Sequence, residues 1–232
     1  GIIAANAKYL EAAPGYGLNV AAIDRLRLTA DRIRAMAKGV REVALLPDPV
    51  GEVIREWTRP NGLKITKIRV PIGVVGIIFE SRPNVTADAA VLCLKSGNAC
   101  ILRGGKEAIH SNVAIAKALS VGAVNAGLSA DVIQLVPFTD RAGVRLLAQM
   151  DRYLDVIVPR GGHALIEAVV QHARMPVIKH YNGICHVFVD KSADLAMAES
   201  IVINAKCQRP GVCNAMETLL IHRDVAVKFL PL

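Results

Sequence analysis

Aromatic side chains are scarce, 4% of 232 residues with a single Trp, so a core has to be built from Val, Ile, Leu and Ala. No uninterrupted apolar run approaches the ~18–20 residues of a membrane-spanning helix. High charge with low hydrophobicity is also missing. The chain is 53% hydrophobic and 21% charged, which excludes intrinsic disorder. The opening stretch GIIAANAKYLEAAPG lacks the basic segment and apolar run of a secretory leader. The sequence begins with Gly1 rather than Met and stops after Phe229-Leu230-Pro231-Leu232 without a recognisable ending, so an excised piece of a longer protein is expected.

The five cysteines, Cys93, Cys100, Cys185, Cys207 and Cys213, are odd in number and contain no CxxC pair. Zinc-ligand spacing is therefore absent, and no metal site is expected. A reducing, cytoplasmic compartment fits this usage better than a disulfide framework. Cys93, Cys100 and Cys185 fall in apolar elements and read as buried, inert thiols. Neither GxGxxG nor GxxxxGK[ST] occurs, so the common dinucleotide fingerprint and the P-loop are both unsupported. No carboxylate spacing suggests a Ser-His-Asp arrangement. The net charge is +8. Lys and Arg are dispersed without aromatic interleaving, which favours an anionic small ligand over nucleic acid.

The first fifty residues read as helical, with Leu26, Ala30, Ile33 and Ala37 at helical spacing. A hairpin follows, Val53 to Thr58 and Leu63 to Val70, around Arg59-Pro60-Asn61-Gly62; Asn-Gly suits a tight I′ turn. From Ile72 the pattern changes. Gly73 to Phe79 is a continuous apolar run, as in a strand buried on both faces. Strands then alternate with helices: Ala99–Leu102, Val132–Val136, Leu154–Val158 and Ile184–Val189 as strands; Val85–Ser96, Glu107–Ala126, segments opening near Asp140 and His163, and Leu195–Lys206 as helices, the last capped by Asp194. This alternation predicts an α/β fold, a Rossmann-like parallel sheet with helices on both faces, preceded by N-terminal helices and a β-hairpin. The expected division is a helical segment 1–50, a hairpin arm 51–71, a dinucleotide-binding domain 72–206, and the start of a truncated catalytic domain 207–232.

Open α/β sheets bind ligands at the carboxyl ends of their strands. Three strand ends here carry a cation at a tight turn: Glu80-Ser81-Arg82-Pro83-Asn84, Arg103-Gly104-Gly105-Lys106 and Pro159-Arg160-Gly161-Gly162-His163. Backbone N–H groups and the helix dipole make such turns anion sites. Three along one edge favour a phosphorylated ligand such as a nucleotide, although glycines also serve merely to permit tight turns. A further constellation is Gln208-Arg209-Pro210-Gly211-Val212-Cys213-Asn214-Ala215-Met216-Glu217. Cys213 sits in a Pro/Gly turn near cationic Arg209, a setting that favours thiolate, the nucleophilic form. An inert Cys213 stands beside that reading on spacing alone. His180 and His186 bracket Gly183 ahead of a strand.

Three stretches carry a resemblance: Val70-Pro71-Ile72-Gly73-Val74-Val75-Gly76-Ile77 through Arg82-Pro83-Asn84-Val85, Lys95-Ser96-Gly97-Asn98-Ala99, and Gln208 through Thr218. They closely resemble the gamma-glutamyl phosphate reductases, also called glutamate-5-semialdehyde dehydrogenases, a branch of the aldehyde dehydrogenase superfamily. The likeness runs over essentially the whole chain, and members are longer at both ends. It implies NADPH-dependent reduction of L-glutamate 5-phosphate to the semialdehyde and phosphate, the second step of proline synthesis from glutamate. It also implies that Cys213 is the nucleophile and that Asn84, with the Cys213 N–H, steadies the oxyanion. By the same resemblance Arg103 and Lys106 face the adenosine ribose and suit the 2′-phosphate of NADP(H). Gly161 and Gly162 meet the pyrophosphate, and His180 stands where hydrolytic relatives carry a water-activating Glu; Arg82 and Arg209 are candidates to hold the phosphate that serves as acceptor in the reverse direction. Cys207 departs from the Thr common in the family. The expected partners are small molecules, with no nucleic acid and no membrane, and a homo-oligomer when full length. Alternatives are another aldehyde dehydrogenase-superfamily enzyme, a dinucleotide-binding fragment without turnover, or a basic RNA-binding protein.

Overall fold

The computed structural model describes residues 1–12, 23–24, 26–80, 82–180, 183–210 and 212–231. They divide into two units, Gly1–Lys179 and His180–Leu232.

In the first unit, α1 (Ile2–Ala12) and α2 (Ala30–Leu45) precede the sheet. Thr29 caps α2, its hydroxyl accepting the Arg32 N–H at 3.2 Å. The stripe that packs is Ile33, Met36 and Val40, set against Ala87, Ile115 and Leu119. It is offset from the expected Leu26–Ala30–Ile33–Ala37 series because the helix begins only at Ala30. Leu26 is buried but precedes the helix, and Ala30 is exposed. Asn6 anchors α1: its Nδ2 donates to the Leu26 carbonyl at 2.7 Å and to Ser111 Oγ at 3.1 Å, and its Oδ1 accepts the Leu28 N–H at 2.8 Å.

The hairpin is present as β1 (Val53–Thr58) against antiparallel β2 (Lys64–Ile68). Its connection differs from the expected two-residue I′ turn. The Gly62 N–H donates to Arg59 C=O at 2.9 Å and the Arg59 N–H to Leu63 C=O at 2.8 Å, which makes a three-residue loop. Pro60 has the fixed φ that a type I turn wants after its first residue. Gly62 then takes the left-handed position at φ +85°.

Four parallel strands form the central sheet: β3 (Val74–Phe79), β4 (Ala99–Arg103), β5 (Ile133–Leu135) and β6 (Val156–Arg160), in the order β5-β4-β3-β6. Helices α3 (Val85–Lys95), α4 (Ile109–Asn125), α5 (Ala142–Ala148) and α6 (His163–His172) connect or follow them. Alternation along β3 separates two cores. Val75, Ile77 and Phe79 pack with Cys100, Leu102, Ala90 and Cys93 under α3. Ile78 packs with Ile157, Val144, Leu147 and Val169 under α5 and α6. Both faces are thus covered, which is why β3 reads as an unbroken apolar run. Interaction with the neighbouring Cys93 thiol, then burial, pushes the Cys100 thiol pKa up.

The second unit holds β7 (His186–Val189), α7 (Leu195–Cys207), β8 (Thr218–Ile221) and α8 (Arg223–Phe229). Asp194 Oδ1 accepts the Met197 N–H at 3.1 Å and caps α7. The strand before α7 was expected to extend the central sheet. Instead β7 pairs in parallel with β8, His186 opposite Thr218 and Val189 opposite Ile221. The physical reason lies on β6. Its open edge is taken by residues 176–178, with the Ile157 N–H donating to Pro176 C=O at 3.0 Å and the Ile178 N–H to Ile157 C=O at 2.9 Å. Among the described residues no helix is long and apolar enough to cross a membrane.

Candidate active site

The chain leaves β3 toward β4 on one side and returns to β6 on the other. The strand order therefore reverses between β3 and β6, and their carboxyl ends flank the crevice where doubly wound sheets bind ligands. Glu80 follows β3, and its N–H donates to Arg160 C=O at 3.2 Å. Its Oε2 accepts the N–H of Gly162 at 2.8 Å, immediately ahead of α6. A carboxylate supplied by the protein itself thus occupies the first peptide donor of that helix. At Gly161 a Cβ would lie 2.5 Å from Glu80 Oε2 and 2.7 Å from Leu165 Cδ2, so a side chain there would displace one of them.

Ser81 lies outside the described residues. Arg82 is half-buried, and its carbonyl accepts the Val85 N–H at 3.1 Å as the chain winds into α3. Asn84 is already helical at φ −61°, ψ −28° and does not cap the helix. Its Nδ2 donates to Asp88 Oδ2 at 2.8 Å, which orients the exposed amide. The i, i+4 spacing of Asn84 and Asp88 was available in the sequence as the signal for this pair.

Arg103 and Lys106, adjacent in sequence reasoning, are disposed differently. Lys106 is exposed on the 3₁₀ turn that leads into α4. Arg103 is 6% exposed, and its Nη2 donates to Thr139 C=O at 2.8 Å and Asp140 C=O at 3.1 Å. Burial lowers its pKa, opposed by the carboxylates of Glu107, Glu80 and Asp140. Its Nε and the Asn112 Nδ2 are buried donors with no acceptor among the described residues. Burial of Arg103 was not legible in the sequence, since its carbonyl partners are more than thirty residues away.

In the second unit, His180 is exposed, and Tyr181, Asn182 and Gly211 lie outside the described residues. Cys213 is exposed in a turn beyond α7, with exposed Arg209 four residues earlier. The Val212 N–H donates to Arg209 C=O at 3.3 Å and the Ala215 N–H to Val212 C=O at 3.2 Å. This turn is tied back to α7 by the Met216 N–H on Ala205 C=O at 3.0 Å and by Lys206 Nζ on Met216 C=O at 3.1 Å. Cys185 corrects an expectation. It is a half-buried thiol just ahead of β7 rather than an inert core thiol, and its Sγ donates to Cys213 C=O at 3.5 Å. Strand pairing with β8, invisible in sequence, brings it there.

The first unit therefore gathers Glu80, Gly161 and Gly162 at one crevice; the second gathers Arg209, Cys213 and Cys185. Among the described residues no group of three or more His, Cys, Asp or Glu could hold a metal ion.

The strand order and the crevice define a doubly wound α/β protein of the dinucleotide-binding class. The family model for "Aldehyde dehydrogenase family" matches residues 20–232, and the chain belongs to that family. Membership implies a nicotinamide dinucleotide cofactor. The chain is 59% identical over 230 residues to "Gamma-glutamyl phosphate reductase" of Geotalea daltonii, covering 99% of this chain and 55% of that protein. It is 60% identical over 230 residues to the protein of the same name from Geobacter metallireducens, with the same coverage. The crystal structure of gamma-glutamyl phosphate reductase from Thermotoga maritima superposes with a TM-score of 0.87 at 46% identity, over 99% of this chain and 56% of that one. The chain thus spans about half the length of the relatives it matches.

Proposed function

We propose that the protein is an NADPH-dependent reductase of L-glutamate 5-phosphate, yielding the semialdehyde and phosphate in the second step of proline synthesis. The observation that carries this is near-60% identity, across 99% of the chain, to proteins named for that activity. Cys213 is the nucleophile: its thiolate attacks the acyl carbon and phosphate departs, leaving a thioester on the protein. Two easier steps thereby replace one hard one. Its exposure in a turn outside α7 supports that role. Asn84 Nδ2, oriented by Asp88, is a donor suited to steadying an oxyanion, where losing one such donor typically costs about 10²–10³ in rate. Arg82 at the β3 end and Arg209 in the Cys213 turn are each cations suited to phosphate.

The crevice residues fit a dinucleotide. The Gly162 N–H is a donor that already binds an anionic oxygen, the Glu80 carboxylate, which also lines the space beside Gly161, so a pyrophosphate there would take the place of that carboxylate. Gly161 and Gly162 would receive the pyrophosphate, with exposed Lys106 on the side of the adenosine ribose and its 2′-phosphate, while Arg103, buried on the Thr139 and Asp140 carbonyls, holds that strand end in place. NADP(H), when bound, supplies the hydride that takes the acyl carbon to the aldehyde level. His180 stands at the position where hydrolytic relatives carry Glu, so the carboxylate that activates water against the thioester in those relatives is replaced here. The protein works in the cytoplasm, as a homo-oligomer in its full length.

The test is semialdehyde oxidation by the full-length protein with NADP and phosphate. Phosphate-dependent NADPH formation is expected, abolished by Cys213→Ser while NADPH binding persists. Turnover that survives Cys213→Ser, or that ignores phosphate, overturns the proposal.

A further inference from the structure

Two thiols meet in the second unit for a reason built into its backbone. The Cys185 carbonyl accepts the N–H groups of Glu217 at 2.9 Å and Thr218 at 3.1 Å, extending the β7–β8 pairing one residue past His186. The chain leading into β8 from the Cys213 turn therefore runs beside residue 185. The Cys185 thiol ends on the Cys213 carbonyl at 3.5 Å. A carbonyl oxygen and the Cβ of its own residue lie roughly 3 Å apart. The Cys185 thiol therefore lies against the backbone of the residue that carries the second thiol. Disulfides need Cβ atoms about 3.5–4.5 Å apart. Reaching that geometry takes a backbone shift of the Cys213 turn, which belongs to neither helix nor strand, and rotation of both side chains to bring the sulfurs together.

We propose that Cys185 and Cys213 form an oxidisable dithiol, a modification site that takes peroxides. Exposed Cys213 reacts first: its sulfur takes one oxygen from hydrogen peroxide, giving a sulfenic acid and one water. The Cys185 sulfur then attacks that sulfur, expelling the oxygen as a second water and closing the S–S bond. Two thiols are oxidised and one peroxide is reduced. The bridge intercepts the sulfenic acid before it reaches the sulfinic state, which thiols do not reverse. Cys93 and Cys100 are excluded from this chemistry by burial. Cys207, exposed at the end of α7, is the competing thiol.

Formation of the bridge depends only on this geometry; its effect on turnover rests on the proposed role of Cys213. The two are separated by measuring them separately. Trypsin leaves Cys185 in peptide 180–191 and both Cys207 and Cys213 in peptide 207–223, because Arg209 precedes proline. In full-length Cys207→Ser protein treated with hydrogen peroxide, these two peptides should appear cross-linked, two hydrogens lighter than their sum, and separate again with dithiothreitol. In Cys185→Ser/Cys207→Ser protein, Cys213 should instead progress to the sulfinic acid, which dithiothreitol does not restore. No cross-link in the Cys207→Ser protein, or equal dithiothreitol recovery of the Cys213 thiol with and without Cys185, overturns the proposal. A cross-link that forms and reverses while turnover is unaffected would leave the dithiol standing and refute Cys213 as nucleophile.

Discussion

Gly104 follows the last residue of β4, and its substitution tests whether close packing shapes this strand end. A methyl at Gly104 would overlap Asn112 Nδ2 and come within 3.2 Å of Asn112 Cγ and of Phe79 Cε2. Neither neighbour yields easily, since Phe79 and Asn112 are both 0% exposed. Asn112 is also held by the Thr86 hydroxyl, which donates to its Oδ1 at 3.2 Å. Overpacking a filled core costs about 1–3 kcal/mol. If Asn112 rotates away, the buried Thr86 hydroxyl loses its acceptor, at a further ~1–3 kcal/mol. The expected destabilisation of Gly104→Ala is therefore about 2–6 kcal/mol, a large part of the ~5–15 kcal/mol that a domain possesses. At about 2–4 °C per kcal/mol for a chain of this size, the melting temperature should fall by roughly 4–24 °C. Urea unfolding of Gly104→Ala, Asn112→Ala and the double variant isolates the cause. Removing the Asn112 amide relieves the overlap, so the double variant should be more stable than additivity predicts by about 1 kcal/mol or more. Additivity within about 0.5 kcal/mol, or a Gly104→Ala protein as stable as the parent, would refute the packing argument.

Lys106→Ala should reduce the preference for NADPH over NADH by about tenfold, one charge-assisted contact of ~1.5–3 kcal/mol, whereas Arg103→Ala should chiefly lower thermal stability by freeing the Thr139 and Asp140 carbonyls. Cofactor titrations and melting curves of both variants check this, and an unchanged preference in Lys106→Ala places the 2′-phosphate elsewhere. Iodoacetamide should label exposed Cys213 faster than buried Cys93 or Cys100, read by peptide mass against time; equal rates in the folded protein would count against a reactive Cys213. His180→Glu should raise phosphate-independent glutamate formation from semialdehyde, by up to the ~10²–10⁴ that a general base contributes. No increase means that this position does not face the thioester.

Local signals carried much of the fold. The apolar run at Val74–Phe79, the Asp194 cap, and the Pro60 and Gly62 turn residues each act through bonds or neighbours within a few positions, so they are legible in one dimension. The cysteine turn after α7 belongs to this class, because Pro210 cannot continue a helix. The family, too, was readable from the motifs around Asn84 and Cys213. Strand partnership was not. Whether β7 joins the central sheet depends on who holds the edge of β6, and residues 176–178 hold it. Pairing of β7 with β8 likewise brings Cys185 to the Cys213 carbonyl and converts an apparently inert thiol into a neighbour. Arg103 makes the point for charge. Sequence presents it as one of two cations beside a ligand, while the fold buries it on carbonyls from the β5–α5 connection. Sequence fixes what each segment can form locally; only tertiary structure decides which distant backbone group meets it, because that choice is made by competition for edges and for buried hydrogen bonds.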